Sequence, residues 1–212
     1  MDRPRLLSIE GNIGAGKSTL VELMKQRYQD REDIIFLQEP VDIWNTIQQN
    51  GKTMLELFYE NQRKYSFSFQ VMAYTTRLEM IRQEVNWAME SGIVKTIVME
   101  RSLEADRNIF ARMLHDDGMM ESCNFDIYKH MSDAGLRQFS VDGILWIMTD
   151  PEECYRRIQV RNREGENNIE EEYLDKCDIY HREWLSADLG FVFYVEKDQY
   201  EWDKIDKFLG VE

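Results

Sequence analysis

The stretch Gly11-Asn12-Ile13-Gly14-Ala15-Gly16-Lys17-Ser18-Thr19 lies between the apolar run LLSI and a helical pattern, and it restricts this chain more than any other feature. Its spacing satisfies GxxxxGK[ST] in full, the phosphate-binding loop that joins a buried strand to a helix. Glycines let backbone N–H groups approach phosphate oxygens, and the helix N-terminus adds about half a positive charge. Lys17 is then placed to reach the β- and γ-phosphates, and the Ser18 hydroxyl to sit on Mg²⁺. Strand, glycine loop and helix in that order point to the α/β class with a nucleoside triphosphate as ligand. The acceptor stays open, since water, a protein, a nucleotide and a small alcohol all suit such a loop.

The rest of the chain extends the alternation. Leu6–Ile9 reads as the buried strand and Lys17–Tyr28 as the helix after the loop. Ile34–Leu37, Ile93–Met99, Gly143–Met148 and Phe191–Val195 are four more short apolar runs. Runs of this length separated by helices predict a parallel sheet covered on both faces. Asp150-Pro151-Glu152-Glu153 marks a helix start, with an N-cap, proline at the first helical position and acids in the first turn. The longest helix is expected from Tyr65 to about Glu90. Along it Phe67, Val71, Tyr74, Leu78, Ile81, Val85 and Ala88 step by four and three, a seam for packing on other helices within one subunit or between two. No repeat or linker divides the 212 residues, so one domain is expected.

Charge narrows the partners. Forty acidic against 26 basic side chains leave −14, a surface that repels nucleic acid and anionic membranes. A bound triphosphate must therefore meet positive charge supplied locally. Cys123, Cys154 and Cys177 are too widely spaced for a CxxC site, and His115, His130 and His181 show no HxxH pairing, which argues against zinc. Reduced thiols and a loop that begins at residue 11, without room for a leader ahead of the first strand, predict a cytoplasmic protein.

In an open parallel sheet, ligands sit beyond the carboxyl ends of the strands. Glu39-Pro40 follows the second strand there, and a carboxylate at that place can take a proton from an attacking hydroxyl. The third strand ends in Glu100-Arg101-Ser102, so Glu100 can join the Mg²⁺ shell while Arg101 steers the acceptor oxygen or the transferring phosphoryl. Each of these side chains taken alone is as well explained as a solvated loop charge or a helix cap. Three together beside a phosphate loop favour a site. Arg157, Arg161 and Arg163 follow the fourth strand, the first two one helical turn apart. In so acidic a chain they suit a lid, at about residues 157–170, that adds charge to a triphosphate and excludes water.

GNIGAGKST, QEPVDIW (38–44), FSFQ (67–70), ERS (100–102) and RxxxRxRxxE (157–166) together resemble the deoxynucleoside kinase family, the group of deoxycytidine, deoxyguanosine and mitochondrial thymidine kinases and the insect multisubstrate enzyme. Five motifs in the same order cover nearly the whole chain. The resemblance implies a homodimeric P-loop kinase fold, with a five-stranded parallel sheet and a lid, that moves the ATP γ-phosphate to the 5′-hydroxyl of a deoxynucleoside in nucleotide salvage. Position by position it implies Glu39 as general base with Arg101 beside it, and Tyr59 and Glu166 holding the 3′-hydroxyl. It further implies Gln70 pairing with the base, Phe110 stacking on it, and Trp44 and Phe69 lining the pocket.

Gln70, Ala73 and Arg77 share one face of the long helix by spacing. A glutamine amide both donates and accepts, so it orients almost any base edge without choosing one. Arg77 only donates and Asp106 only accepts. In the resembled family, the positions matching Ala73, Arg77 and Asp106 carry the arginine–aspartate pair in the cytosine and purine kinases and lack it in the thymidine type. An aspartate suits an exocyclic amino group, whereas thymine offers another acceptor there. Deoxycytidine and purine deoxynucleosides are therefore expected over thymidine. A thymidylate-type monophosphate kinase would need an arginine where Gln38 stands, and a GTPase would need an NKxD motif that the chain lacks. A catalytically silent subunit is at odds with the retention of Lys17, Glu39, Arg101 and the lid arginines.

Overall fold

The computed structural model describes residues 3–163, 165–186, 192–196 and 200–211. The chain runs β1 (Arg5–Glu10), α1 (Lys17–Arg27), β2 (Ile34–Leu37), α2 (Val41–Thr46), a short hairpin of β3 (Gln48–Gln49) and β4 (Lys52–Thr53), α3 (Met54–Glu60) and α4 (Gln62–Ser91). Next come β5 (Thr96–Glu100), α5 (Leu103–Ala105), a π turn (Asp106–Ala111), α6 (Arg112–Asp116), α7 (Ser122–Gln138) and β6 (Gly143–Met148). It closes with α8 (Pro151–Arg161), a 3₁₀ turn (Glu166–Asn168), α9 (Glu171–Leu185), β7 (Val192–Glu196) and α10 (Trp202–Leu209).

Five strands form one parallel sheet in the order β2-β5-β1-β6-β7. The connections run one way from β1 through β2 and β5 and the other way through β6 and β7. The crevice at the carboxyl end of β1 is thus the topological switch point, where such sheets bind ligands. Side chains that alternate along each strand feed two cores. Leu6, Ile97 and Met99 pack with Tyr74 and Ile81 of α4 and Tyr128 of α7. Leu7, Ile9 and Val98 pack on the other face with Leu20, Val21 and Met24 of α1 and Ile205 and Phe208 of α10. Burial on both faces is why the strands read as continuous apolar runs.

Element ends differ from the sequence reading where caps decide. The long helix spans 30 residues, begun by Asn61, whose side chain accepts from Lys64 N, and ended by left-handed Gly92. Because α4 continues to Ser91, residues 92–95 serve to turn the chain, so β5 starts at Thr96 rather than Ile93, whose side chain is exposed. The α1 helix stops at Arg27 with Tyr28 as its cap, and β7 covers Val192–Glu196, Phe191 lying outside the described residues. Asp150 caps α8 as expected, accepting from Glu152 N. The seam of α4 faces the core: Tyr74, Ile81, Val85 and Ala88 are buried, and Phe67, Val71 and Leu78 are partly so. Tyr74 Oη donates to the Ser132 carbonyl across to α7 at 2.8 Å. Among the described residues, no helix is long and apolar enough to cross a membrane.

Candidate active site

A cleft of about 440 Å³ opens at the carboxyl end of the sheet. Its floor is the phosphate loop. Two glycines there are obligatory: a Cβ on Gly11 (φ 151°) would lie 2.7 Å from the Ile147 carbonyl, and one on Gly14 (φ 80°) 2.6 Å from that of Cys154. The loop therefore lies directly against β6 and α8. Ile13, Gly14, Gly16, Lys17, Ser18 and Thr19 face the cleft. Asn12 and Ala15 instead hold the loop in place. Asn12 Nδ2 donates to the Leu174 carbonyl at 2.8 Å, and the buried Ala15 packs with Cys154 and Ile158. Lys17 Nζ donates to the carbonyls of Gly11 (3.1 Å) and Asn12 (2.8 Å). Burial, then the nearby Arg101, bring Lys17 down to about 8.

Charged groups gather opposite the loop. Glu39 Oε1 accepts from Arg101 Nε at 3.0 Å and from Arg77 Nη2 at 3.2 Å. Burial works to raise its pKa, but Arg101, Arg77 and Lys17 outweigh that and hold it at about 2. Arg101 itself adopts a left-handed backbone (φ 66°), rare for a side chain of its size. Its guanidinium lies over the Phe110 ring, 4.5 Å from the centroid, and its Nη1 has no hydrogen-bond partner among the described residues. Ser18 Oγ donates to Glu100 Oε1 at 2.8 Å, and burial, then Glu39, push the Glu100 carboxyl up.

Arg77 is 1% exposed, so it is not a solvated helix edge. It donates from Nε to Asp106 at 3.0 Å, from Nη1 to the Glu100 carbonyl at 2.8 Å, and from Nη2 to Glu39. Gln70 and Ala73 are buried on the same face of α4 and line the cleft with it. Asp106 and Phe110 both sit in the π turn. Its wider winding keeps residues four to five apart on one face, and such turns recur at functional sites. Trp44 and Phe69 meet edge to face at 5.7 Å, and Trp44 Nε1 donates to Thr76 Oγ1 at 2.9 Å.

Tyr59 is delivered by α3, which a Thr53/Glu56 capping box begins. Burial, then Glu166, hold its hydroxyl well above the usual tyrosine range, so it stays a donor. Glu166 is 5% exposed and accepts from Arg161 and, at 3.2 Å, from Arg163. Arg157 turns the other way, to Glu153 at 2.8 Å and to the phosphate-loop carbonyls of Ala15 (3.3 Å) and Gly14 (3.5 Å). The three arginines expected to act together are thus divided between phosphate loop and Glu166, though all of them line the cleft. Glu164, the neighbouring acid, lies outside the described residues.

Every acceptor-side residue expected from sequence lines the one cleft, which also takes in Val41, Leu55, Phe58, Tyr173 and Tyr200. Phe58 stacks on Phe69 at 4.5 Å, and Tyr173 meets Tyr59 edge to face at 5.9 Å. Leu55 and Phe58 share the α3 face with Tyr59, a spacing that was open to view. Tyr173 carried no such signal, since the packing of α9 alone brings it in.

A family model described as deoxynucleoside kinase matches residues 7–207. The chain is similar to deoxycytidine kinase from Homo sapiens, 34% identical over 200 residues, covering 86% of this chain and 76% of that one. Deoxycytidine kinase 2 from Gallus gallus is 31% identical over 200 residues, 86% and 74% of the two chains. A mitochondrial deoxyguanosine kinase from Xenopus laevis is 28% identical over 195 residues, 85% and 72%.

Proposed function

The chain belongs to the deoxynucleoside kinase family, and from that premise we propose that its cleft moves the γ-phosphate of ATP to the 5′-hydroxyl of a deoxynucleoside in nucleotide salvage. One observation carries this reading. The phosphate loop and a cluster of partly buried Glu39 with the buried Arg101 and Arg77 face one cavity, so donor and acceptor ends share a space that nucleobase-sized aromatic walls enclose.

Glu39 accepts the 5′-hydroxyl proton. A carboxylate held near 2 is a weak base toward an intact alcohol. The proton therefore crosses late, once transfer of the phosphoryl has drained charge from the hydroxyl oxygen, as a loose transition state allows. Arg101, which lines the cleft beside Glu39, brings its guanidinium charge to that oxygen or to the phosphoryl. Lys17 and Arg157 meet the phosphates from the loop side, and Arg161 and Arg163 from the lid at residues 157–170. Ser18 and Glu100 form the pair of hard oxygen donors that would hold Mg²⁺, with phosphate and water oxygens completing its shell. Bound there, the ion would neutralise phosphate charge. Tyr59 and Glu166 take the 3′-hydroxyl, Gln70 orients the base, and Phe110, Trp44 and Phe69 enclose it.

For the base, the fixed acceptor is Asp106, held by Arg77 and buried to 3% exposure. It suits the amino group of cytosine or a purine. Thymine would set its O4, another acceptor, against this carboxylate where an amino group would donate, at a cost of about 1–3 kcal/mol, roughly 5- to 150-fold in discrimination. A steady-state panel of the four deoxynucleosides and dTMP with Mg-ATP tests both levels. Deoxycytidine or a purine deoxynucleoside should give the highest kcat/KM. Thymidine as best substrate overturns the base assignment, and dTMP as best substrate overturns the acceptor.

The chain works as one catalytic domain. It pairs with a second copy through α4 and α7, where Trp87 and Ile127 stand exposed by 51% and 55%; light scattering at micromolar concentration should give twice the 25.4 kDa chain mass. Three free cysteines, two of them buried, suit the reducing cytoplasm.

A further inference from the structure

Glu10 ends β1, one residue before the phosphate loop, and is fully buried. It takes no part in the mechanism above and does not line the cleft. Its Oε1 accepts twice from Ser102, from the backbone N at 2.9 Å and from Oγ at 2.6 Å. The same Oγ accepts from Ala105 N at 3.1 Å and so caps α5, the turn that leads into Asp106 and Phe110. Between β5 and Ser102 lies Arg101, whose left-handed backbone is tied on its other side by donation from Arg101 N to the Ile9 carbonyl at 3.1 Å. Burying a carboxylate on a serine that needs only a neutral acceptor is expensive. Burial indeed pushes the Glu10 carboxyl up, against the pull of Arg101 and Ser102. A sparsely populated backbone conformation persists only where its surroundings over-determine it, and the Glu10–Ser102 bonds and the Arg101 N–Ile9 bond flank this one.

We propose that Glu10 is a positioning residue for phosphoryl transfer: through Ser102 it locks the left-handed turn that aims Arg101 at the reacting oxygen. The proposal rests on the role assigned to Arg101, and it makes the start of the phosphate loop and the acceptor-side arginine parts of one rigid unit. Without the Ser102 contacts, residue 101 relaxes toward ordinary backbone angles and its guanidinium leaves Glu39 and Phe110. An ångström of misplacement is enough to cost about 100-fold in rate.

Steady-state kcat and KM with Mg-ATP and the fastest deoxynucleoside, on Glu10→Ala, Glu10→Gln, Ser102→Ala, Arg101→Ala and the Glu10→Ala/Arg101→Ala double variant, test this. Glu10→Ala should lower kcat about 10- to 100-fold while KM for the nucleoside moves less than about threefold. Glu10→Gln keeps an acceptor for Ser102 N and should recover to within about fivefold of the parent. The double variant should be no more than about twofold slower than Arg101→Ala, because Glu10 acts through that side chain. Losses that multiply, or a Glu10→Ala enzyme within twofold of the parent, overturn the proposal. Should Glu10→Ala fail to fold, Ser102→Ala must show the same kcat-only loss, again without adding to Arg101→Ala, or the proposal falls. Normal turnover in Arg101→Ala removes the Arg101 role and Glu10 with it, whereas a crippled Arg101→Ala beside a normal Glu10→Ala removes Glu10 alone.

Discussion

Replacing Glu39 by glutamine separates charge from shape at the centre of the site. The amide is an isostere of the protonated acid and still accepts from Arg101 and Arg77. What it removes is the negative charge that these arginines and Lys17 stabilise. The positive charge of Arg101, Arg77 and Lys17 brings the carboxyl from an ordinary 4.5 to about 2, which corresponds to about 3 kcal/mol of folding stability at neutral pH. Breaking one side of a buried ion pair gives a similar figure, about 3–5 kcal/mol. Because the folded value lies below the unfolded one, the stabilisation is complete above about pH 4.5 and is lost as pH falls through about 2. Denaturant unfolding of parent and Glu39→Gln should thus differ by about 3 kcal/mol at pH 7 and by about half that at pH 3, acids remote from Glu39 cancelling in the difference. In the same preparation kcat should fall about 10²- to 10⁴-fold while deoxynucleoside affinity stays near that of the parent. A stability gap that does not change between pH 7 and pH 3 refutes the electrostatic reasoning. Turnover within threefold of the parent refutes the base assignment.

Lys17 at about 8 should shed its charge on the alkaline side, so kcat/KM for ATP should drop about tenfold per pH unit above that point; a flat profile to pH 9.5 contradicts the burial argument. Gly14→Ala drives a Cβ into the Cys154 carbonyl from a positive φ and should raise KM for ATP at least about tenfold, with about 2 kcal/mol lost in denaturant unfolding. Gly135→Ala would overlap the Tyr74 hydroxyl where α7 meets α4. It should lower stability by about 1–3 kcal/mol while kcat per folded molecule stays unchanged, read by unfolding and active-site titration.

Residue order is enough to place the sheet, the phosphate loop and the groups at the strand ends. Each of these is local: apolar runs set by two-sided burial, a glycine spacing forced by backbone approach to phosphate, and acids and arginines directly after strands. The same locality made Arg77 legible as sharing a face with Gln70. Its pairing with Asp106 was anticipated only through the family resemblance and not by spacing, because whether a helix face meets solvent or a buried aspartate depends on what packs against it. The π turn that aligns Asp106 with Phe110, and the left-handed Arg101, left no mark in residue order, since both are conformations that neighbours impose. The lid shows the limit most clearly. Arg157, Arg161 and Arg163 read as one set along the chain, yet the fold sends Arg157 to the phosphate loop and the other two to Glu166. Local hydrogen-bond chemistry and apolar periodicity determine elements and candidate groups. The pairing of buried charges is decided by tertiary packing, because a buried charge must find its partner across the chain.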